Sequence, residues 1–231
     1  MKYNAVIFDL DGTLLDSLKG IAAAMNELLE KRSYPLHSLE KYKYFVGEGL
    51  KELVRRALPP EWYEPFRETE QTERALDEMV VEYRKRYDEI WPQTSPPYSG
   101  IPELLEILSH GNIKMGVLSN KADDFTKRMT LQLLPGIPFV TILGARPGVP
   151  GKPDPASALE IAAVMGSNPG EIVFLGDTGI DMQTAVNAGM VPVGALWGFR
   201  QADELQANGA RRLLKHPLEL TGLMNCGNPN K

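Results

Sequence analysis

Five short apolar runs, most of them separated by segments with helical periodicity, constrain the fold of this chain more than any other feature. They are rich in Val, Ile and Leu without strict alternation, which is typical of strands buried on both faces of a sheet. The runs span residues 5–10, 113–118, 139–143, 172–175 and 191–196. Because strands that alternate with helices form βαβ units, the sequence predicts an α/β fold with a parallel sheet.

One long segment, residues 16–96, interrupts this alternation. It contains no convincing buried strand but several stretches with the apolar spacing of amphipathic helices, which prolines separate. The proline-rich stretch 92–97 is typical of a semi-rigid linker. We therefore predict a main domain of residues 1–15 and 97–231 and an all-helical domain, residues 16–96, inserted after its first strand.

The segment Asp9-Leu10-Asp11-Gly12-Thr13 follows the first apolar run directly. Asp9 and Asp11 are two residues apart, so both can project to the same side as the chain leaves the sheet. Carboxylates in such a place can bind a hard cation such as Mg²⁺, and one of them can act as a nucleophile. The alternative is an ordinary turn with solvated acids, since Asp and Gly are common turn residues.

Two later segments place a hydroxyl and an ammonium after predicted strands. Ser119, followed by Asn120, could bond a phosphate oxygen, although a helix N-cap has the same appearance. Lys152 lies on a stiff turn between Gly151 and prolines, where its ammonium could neutralise a carboxylate and a phosphate together. The proline at position 155 also suits a helix start.

A further acidic segment follows the fourth apolar run. Asp177 would be a metal ligand at a strand end, and Asp181 falls in the first turn of the next helix. There Asp181 could bind metal through water, orient Lys152, or simply favour the helix macrodipole. Because ligands bind at the carboxyl ends of strands in open α/β sheets, we expect these side chains to form one site.

Glycines and a tryptophan-containing loop border these segments. We expect Gly12, Gly176 and Gly179 to serve tight turns. Residues 197–200, Trp-Gly-Phe-Arg, follow the last apolar run. They could edge the crevice or serve only loop packing.

Taken in order, these segments resemble the four motifs of the haloacid dehalogenase superfamily. The matching residues are Asp9-Leu10-Asp11-Gly12-Thr13, Ser119-Asn120, Lys152-Pro153, and Gly176-Asp177-Thr178 with Asp181. The resemblance extends to about residue 196 and implies a Rossmann-like core with a C1-type helical cap. Within the cap, residues 46–50, Val-Gly-Glu-Gly-Leu, resemble those of phosphoglycolate phosphatases and their relatives.

The resemblance also implies roles for the two acids of the first motif. Asp9 would attack phosphorus and become a phospho-aspartate, while Asp11 would protonate the leaving alcohol and then activate water. Asp9, the main-chain carbonyl of Asp11, and Asp177 would hold Mg²⁺. An acid at position 11 distinguishes phosphate-ester chemistry from that of the dehalogenase and phosphonate-cleaving relatives.

The remaining motifs would bind the phosphoryl group. The resemblance assigns Ser119, Asn120 and Lys152 to its oxygens, and Asp181 to support of the metal or of Lys152. Cap closure about residues 14–17 and 92–99 would exclude water.

The implied function is Mg²⁺-dependent hydrolysis of a small phosphorylated metabolite, similar to that of the phosphoglycolate phosphatases. Three alternatives stay open. They are a β-phosphoglucomutase-like phosphomutase, whose Gly-x-x-Arg-x-x-Ser-Leu pattern near the cap this chain lacks, a pyrophosphatase or nucleotidase, and a non-catalytic binding protein.

Cationic side chains surround the glycine turn of the cap. They are Lys41, Lys43, Lys51, Arg55 and Arg56. One or more of them could meet the carboxylate of a small anionic substrate such as 2-phosphoglycolate. The alternative is a solvated basic helix face.

Composition limits the partners. The net charge of -5, with acids and bases interspersed, argues against nucleic acid binding. No apolar run approaches the ~20 residues that a membrane helix needs. The single cysteine, Cys226, excludes an intrachain disulfide, and there is no signal-peptide layout. We expect a cytoplasmic monomer or homodimer.

Overall fold

A computed structural model describes residues 3–59 and 70–225 of the chain. It divides the chain into two compact units: a core unit, Met1–Asp16 with Pro97–Lys231, and a cap unit, Ser17–Pro96. Cys226 lies outside the described residues, as does Trp62, which the sequence predicts to pack in the cap.

The core unit is built on one sheet of parallel strands in the order β3-β2-β1-β4-β5-β6. The strands are β1 Ala5–Phe8, β2 Lys114–Ala122, β3 Phe139–Ala145, β4 Ile172–Gly176, β5 Val191–Ala195 and β6 Arg212–Leu214. The predicted α/β fold with a parallel sheet is therefore confirmed, and each of the five apolar runs contributes a strand.

Helices surround this sheet and fill the cap unit. In chain order they are α1 Leu18–Lys31, α2 Leu39–Phe45, α3 Leu50–Ala57, α4 Glu70–Thr94, α5 Ile101–His110, α6 Asp123–Leu133, α7 Ala156–Met165, α8 Gly179–Asn187 and α9 Ala202–Ala207. Short 3-10 helices lie at Pro169–Glu171 and Pro217–Gly222. In the described part of the chain, no helix is long and apolar enough to cross a membrane.

The register of the central strands brings the site segments together. Every residue of β1 is fully buried, because neighbouring strands and helices cover both of its faces. Phe8, the last residue of β1, pairs with Val117 of β2 and with Leu175 of β4. The segments that follow these three strands therefore leave the sheet at the same edge.

Two elements of the core unit lack the apolar periodicity that predicts the other strands and helices. β6 has only three residues and begins with an arginine. α6 buries Thr126 and Thr130 beside its apolar residues, and their hydroxyls donate hydrogen bonds to main-chain carbonyls four residues earlier. Threonines that satisfy their own hydroxyls can occupy a buried helix face, so the apolar periodicity there is weak.

All the regular secondary structure that is described in the cap unit is helical. The Arg86 guanidinium of α4 donates to both carboxylate oxygens of Glu27 in α1, at 2.6 and 2.8 Å. α4 runs to Thr94 and includes Pro92, so the predicted linker is wrong in its first three residues. Trp91, 1% exposed, packs in this last turn, and such burial keeps the helix intact despite the proline.

Candidate active site

A buried lysine joins two carboxylates at the carboxyl edge of the sheet. The Lys152 ammonium lies 2.6 Å from Asp9 Oδ1 and 2.6 Å from Asp181 Oδ1. Its side chain is 3% exposed. Asp9 follows β1, and its main-chain N–H donates to the carbonyl of Leu175 in β4, which fixes the start of the turn. Residues far apart in sequence thus meet, as the strand pattern predicts.

The Asn120 amide holds the main chain at Lys152 from both sides. Asn120 Nδ2 donates to the Lys152 carbonyl at 3.0 Å, and the Lys152 N–H donates to Asn120 Oδ1 at 2.8 Å. A side chain at Gly151 would come within 2.8 Å of the same Oδ1 atom, so glycine permits this approach. The structure therefore gives Asn120 a part in positioning the lysine, whereas the phosphate contact that the family resemblance implies for Asn120 stays a prediction.

Asp177 is fully buried and its two carboxylate oxygens each accept a hydrogen bond. Thr13 Oγ1 donates to Oδ1 at 3.0 Å, and the Phe199 N–H donates to Oδ2 at 2.7 Å. The Trp197 indole N–H in turn donates to the Thr13 carbonyl at 3.0 Å. The loop after β5 therefore does more than pack, since it fixes this carboxylate together with the turn after β1.

Asp181 belongs to a capping box at the start of α8. Its Oδ2 atom accepts from the Thr178 N–H at 3.0 Å and from the Thr178 hydroxyl at 2.7 Å. Its other oxygen accepts from Lys152. Of the alternatives that the sequence leaves open for Asp181, the geometry shows direct orientation of Lys152, combined with satisfaction of the helix N-terminus.

Three of these carboxylates form a compact acidic cluster. Oxygens of Asp9, Asp177 and Asp181 lie within 4.8 Å of one another, and all three residues are buried. Asp9 and Asp181 contact the ammonium of Lys152, so three ionised carboxylates and one ammonium would leave two negative charges uncompensated. A buried set of hard oxygen donors with that charge fits a divalent cation such as Mg²⁺ or Ca²⁺.

The protonation equilibria of the site reflect this crowding. Burial raises the pKa of Asp9 to about 7, although Lys152 opposes the shift. Burial, with Asp9 and Asp181 nearby, also holds the pKa of Asp177 well above its usual range. For Lys152, burial lowers the pKa, but the carboxylates of Asp181 and Asp9 outweigh it and the pKa is raised. The lysine therefore carries its charge, as a phosphate-binding residue needs.

Asp11 forms an ion pair with Lys121, a residue that the sequence motifs did not single out. Its carboxylate oxygens lie 3.0 and 3.2 Å from the Lys121 ammonium. Ser119 is 4% exposed, and its hydroxyl accepts from the Lys121 N–H at 3.2 Å. Lys121 follows Ser119-Asn120 directly near the end of β2, but a lysine there gives no sequence signal that would distinguish it from a solvated one.

Close approach explains the glycines at the site better than turn geometry does. Gly12 has φ +93°, and a side chain there would clash with the Asp177 carboxylate. At Gly176 a side chain would clash with Asp181, and at Gly179 it would come within 2.6 Å of the amide of Asn208. Gly176 is the last residue of β4 and Gly179 is the first of α8, so the prediction that these two serve tight turns is wrong.

Most of the predicted cationic residues of the cap are paired with acids of the same unit. The pairs are Lys43 with Glu40, Lys51 with Glu73 and Asp77, Arg55 with Glu52 and Glu73, and Arg56 with Glu48 and Glu52. For these four residues, the ion pairs favour the interpretation as a solvated basic helix face over the interpretation as a binding site for the substrate carboxylate.

Buried ionisable groups with shifted pKa values, at the carboxyl edge of a parallel α/β sheet where such folds bind ligands, are typical of an enzyme active site. The family described as haloacid dehalogenase-like hydrolase matches residues 6–195 of this chain. The chain therefore belongs to that family, as its four motifs predict.

Individual relatives are similar over almost the whole chain. It is 30% identical to the phosphoglycolate phosphatase of Pseudomonas putida over 97% of its own length and 80% of the relative's. It is also 30% identical to that of Aquifex aeolicus, over 95% and 96% of the two chains. A crystal structure from Lactobacillus delbrueckii subsp. bulgaricus, provisionally named a phosphoglycolate phosphatase, superimposes with a TM-score of 0.86 at 28% identity, covering 99% and 100%. The protein is thus a phosphoglycolate phosphatase-like member of its family.

Proposed function

We propose that the chain is a Mg²⁺-dependent phosphomonoester hydrolase that acts through a phospho-aspartate at Asp9. One observation carries this proposal: Lys152 bridges Asp9 and Asp181 beside Asp177, in a buried acidic cluster whose negative charge a divalent cation would balance. The cluster lies at the carboxyl edge of the sheet, where ligands of open α/β folds bind.

Asp9 supplies the nucleophile. One of its carboxylate oxygens accepts from Lys152, and the other is left to attack phosphorus. The bond from this oxygen to phosphorus forms while the bond from phosphorus to the alcohol oxygen breaks. A carboxylate and a phosphate dianion repel each other, and the charge of Lys152, fixed before the substrate arrives, reduces that repulsion.

Asp11 moves the proton in both halves of the reaction. It donates to the departing alcohol oxygen, which avoids release of an alkoxide and contributes roughly 10²–10⁴-fold to the rate. It then accepts a proton from the water that attacks phosphorus, so the bond to Asp9 breaks and inorganic phosphate is released. The same residue acts as acid first and base second.

Mg²⁺ would be held by Asp9, Asp177 and the main-chain carbonyl of Asp11, where it would supply positive charge at the phosphoryl oxygens. The hydrogen bonds from Thr13 and Phe199 keep the Asp177 carboxylate in place. Binding therefore does not require this side chain to reorganise.

The phosphoryl oxygens would be bound by Ser119, Asn120 and Lys152. The Ser119 hydroxyl is buried near the end of β2. The two hydrogen bonds between the Asn120 amide and the main chain of Lys152 fix the backbone from which the ammonium extends. These groups select a phosphate but do not select the alcohol attached to it.

We infer 2-phosphoglycolate as the first substrate to test, because the named relatives carry that activity in their names. Catalysis separates this proposal from a binding protein on the same fold, since only the enzyme releases phosphate. Turnover of 2-phosphoglycolate no faster than that of p-nitrophenyl phosphate, judged by kcat/KM, would remove the substrate assignment and leave the phosphatase assignment standing.

Replacing the nucleophile tests the mechanism. We expect Asp9→Asn to abolish Mg²⁺-dependent phosphate release while circular dichroism stays unchanged, because an amide oxygen is a poor nucleophile. The matched control is Asp203→Asn, which changes an exposed acid in the first turn of α9 and should leave the rate unchanged.

Mass spectrometry of acid-quenched enzyme extends the same test. The wild-type peptide that contains Asp9 should carry a phosphoryl group, and the Asp9→Asn peptide should not. Near-normal turnover by Asp9→Asn, or a phosphoryl group on another residue, contradicts the proposed nucleophile.

A further inference from the structure

The ion pair between Asp11 and Lys121 involves none of the three carboxylates of the acidic cluster, Asp9, Asp177 and Asp181. Lys121 Nζ contacts both oxygens of Asp11, at 3.0 and 3.2 Å, although the two residues are 110 positions apart in the chain. The side chains are 10% and 12% exposed, which is well below the exposure of the surface pairs. The pair therefore joins the turn after β1 to the end of β2, and it is mostly buried.

Stability alone explains this pair poorly. Removing two charges from water costs about as much as their mutual attraction returns, so a mostly buried ion pair is weak evidence of a stabilising role. The contrast is Lys127, which pairs with Asp123 within α6 and is 48% exposed. The function of Asp11 is therefore a better explanation for the position of Lys121 than protein stability is.

Lys121 is itself held in place through its main chain. Its N–H donates to the Ser119 hydroxyl at 3.2 Å, and its carbonyl accepts from the Thr126 hydroxyl at 3.1 Å. The ammonium is therefore presented from a backbone fixed on both sides. By contrast, Asp11 precedes Gly12, whose φ is +93°. Within residues 3–59 and 70–225, the Asp11 carboxylate has no hydrogen bond other than those from Lys121.

We propose that Lys121 is a positioning residue, one that orients the carboxyl group of Asp11 toward the oxygen of the leaving alcohol. Contact with both oxygens restricts both side-chain torsions of Asp11, which staggered rotamers alone would not do. This inference rests on the proposed function, in which Asp11 gives its proton to that oxygen. Proton transfer depends on such alignment, because a donor outside hydrogen-bond reach contributes little.

The leaving group provides the test, because a poor leaving group needs the proton and a good one does not. The parameter kcat/KM covers the steps up to departure of the alcohol. We expect Lys121→Met to lower kcat/KM for glycerol 2-phosphate, an alkyl ester, by about 10- to 100-fold, within the range of general acid catalysis. For p-nitrophenyl phosphate, which releases a stable phenolate, the fall should stay within about threefold.

Three variants control this comparison. Lys127→Met removes an exposed lysine of the neighbouring helix and should change neither value. Lys121→Arg keeps a cation with several donors and should restore part of the alkyl ester activity. In an Asp11→Asn background, Lys121→Met should cause no further loss with the alkyl ester, because the group it orients is gone. Where Lys121→Met does not fold, Lys121→Gln serves the same comparison.

Several outcomes would overturn the inference. Equal losses with both esters would show a general structural role, and an unchanged or raised kcat/KM for the alkyl ester would show that Lys121 does not assist Asp11. A loss confined to 2-phosphoglycolate would show recognition of the substrate carboxylate instead. Absence of phosphatase activity in the wild type would refute the proposed function itself, which is a distinguishable result.

Discussion

At the scale of single residues, the site depends on small groups that let large charged groups approach. The Asp177 carboxylate has a hydrogen bond on each oxygen, and the chain passes close to it at Gly12 and Gly198. A side chain at either glycine would clash with Asp177. Two hydrogen-bond donors therefore hold the Asp177 carboxylate, and the two glycines leave room for it.

Substitution of Gly12 separates this clash from backbone strain. Gly12→Ala should destabilise the protein by the cost of a left-handed conformation, about 1–2 kcal/mol, plus a further ~1–3 kcal/mol for overpacking against Asp177. The matched control is Gly136→Ala, because Gly136 also has a positive φ, +77°, but a side chain there meets nothing within 4 Å. Urea unfolding measures the free energy of unfolding of both variants. An equal loss of stability in the two would contradict the predicted clash with Asp177.

Side chains that follow strands could be predicted, whereas main-chain donors could not. Asp9, Lys152, Asp177 and Asp181 follow apolar runs or open helices, so their meeting follows from the parallel sheet. The N–H of Phe199 carries no sequence signal, because every residue except proline has one. Lys121 was missed because its significance depends on the register between β1 and β2, which composition does not fix.

At the scale of elements, the first turn of α8 links helix stability to the site. Thr178 and Asp181 cap each other's main chain, and the same Asp181 carboxylate accepts from Lys152. An N-terminal helix cap that also holds a lysine couples the start of the helix to the reacting groups. Serine or threonine at position 178 can make this cap, and alanine cannot.

Removal of the cap hydroxyl should therefore affect stability and rate together. Thr178→Ala should reduce the free energy of unfolding by about 0.5–2 kcal/mol, as for other N-caps. It should also lower kcat by roughly 10-fold or more, because Asp181 no longer holds Lys152 in one orientation. Thr178→Ser retains the hydroxyl and should restore both values. Chemical denaturation and steady-state kinetics provide the measurements, and an unchanged kcat in Thr178→Ala would contradict the coupling.

Helices and strands with a strong apolar periodicity could be predicted from the sequence. Elements that are very short, or that bury polar side chains, could not. The runs that became β1 and β4 are buried throughout, so their composition reports their position. α6 buries threonines that bond to their own helix, and β6 consists of three residues at the sheet edge. In both cases the backbone is satisfied by means that leave no hydrophobic pattern.

At the scale of the whole molecule, strand order determines which segments share the site. β1 lies between β2 and β4, so the turn after β1 has the segments after both neighbours beside it. This topology gathers residues near positions 9, 120 and 177 without any local signal between them. In the sequence, the cap unit is inserted between Asp16 and Pro97.

Calorimetric titration of Mg²⁺ into the purified protein tests this assembly of distant residues most directly. We expect one Mg²⁺ site per chain in the wild type, and an affinity at least ~10-fold weaker in Asp177→Asn, because a carboxylate ligand becomes a neutral amide. Asp203→Asn should bind as the wild type does. Undiminished Mg²⁺ affinity in a folded Asp177→Asn variant would contradict the account.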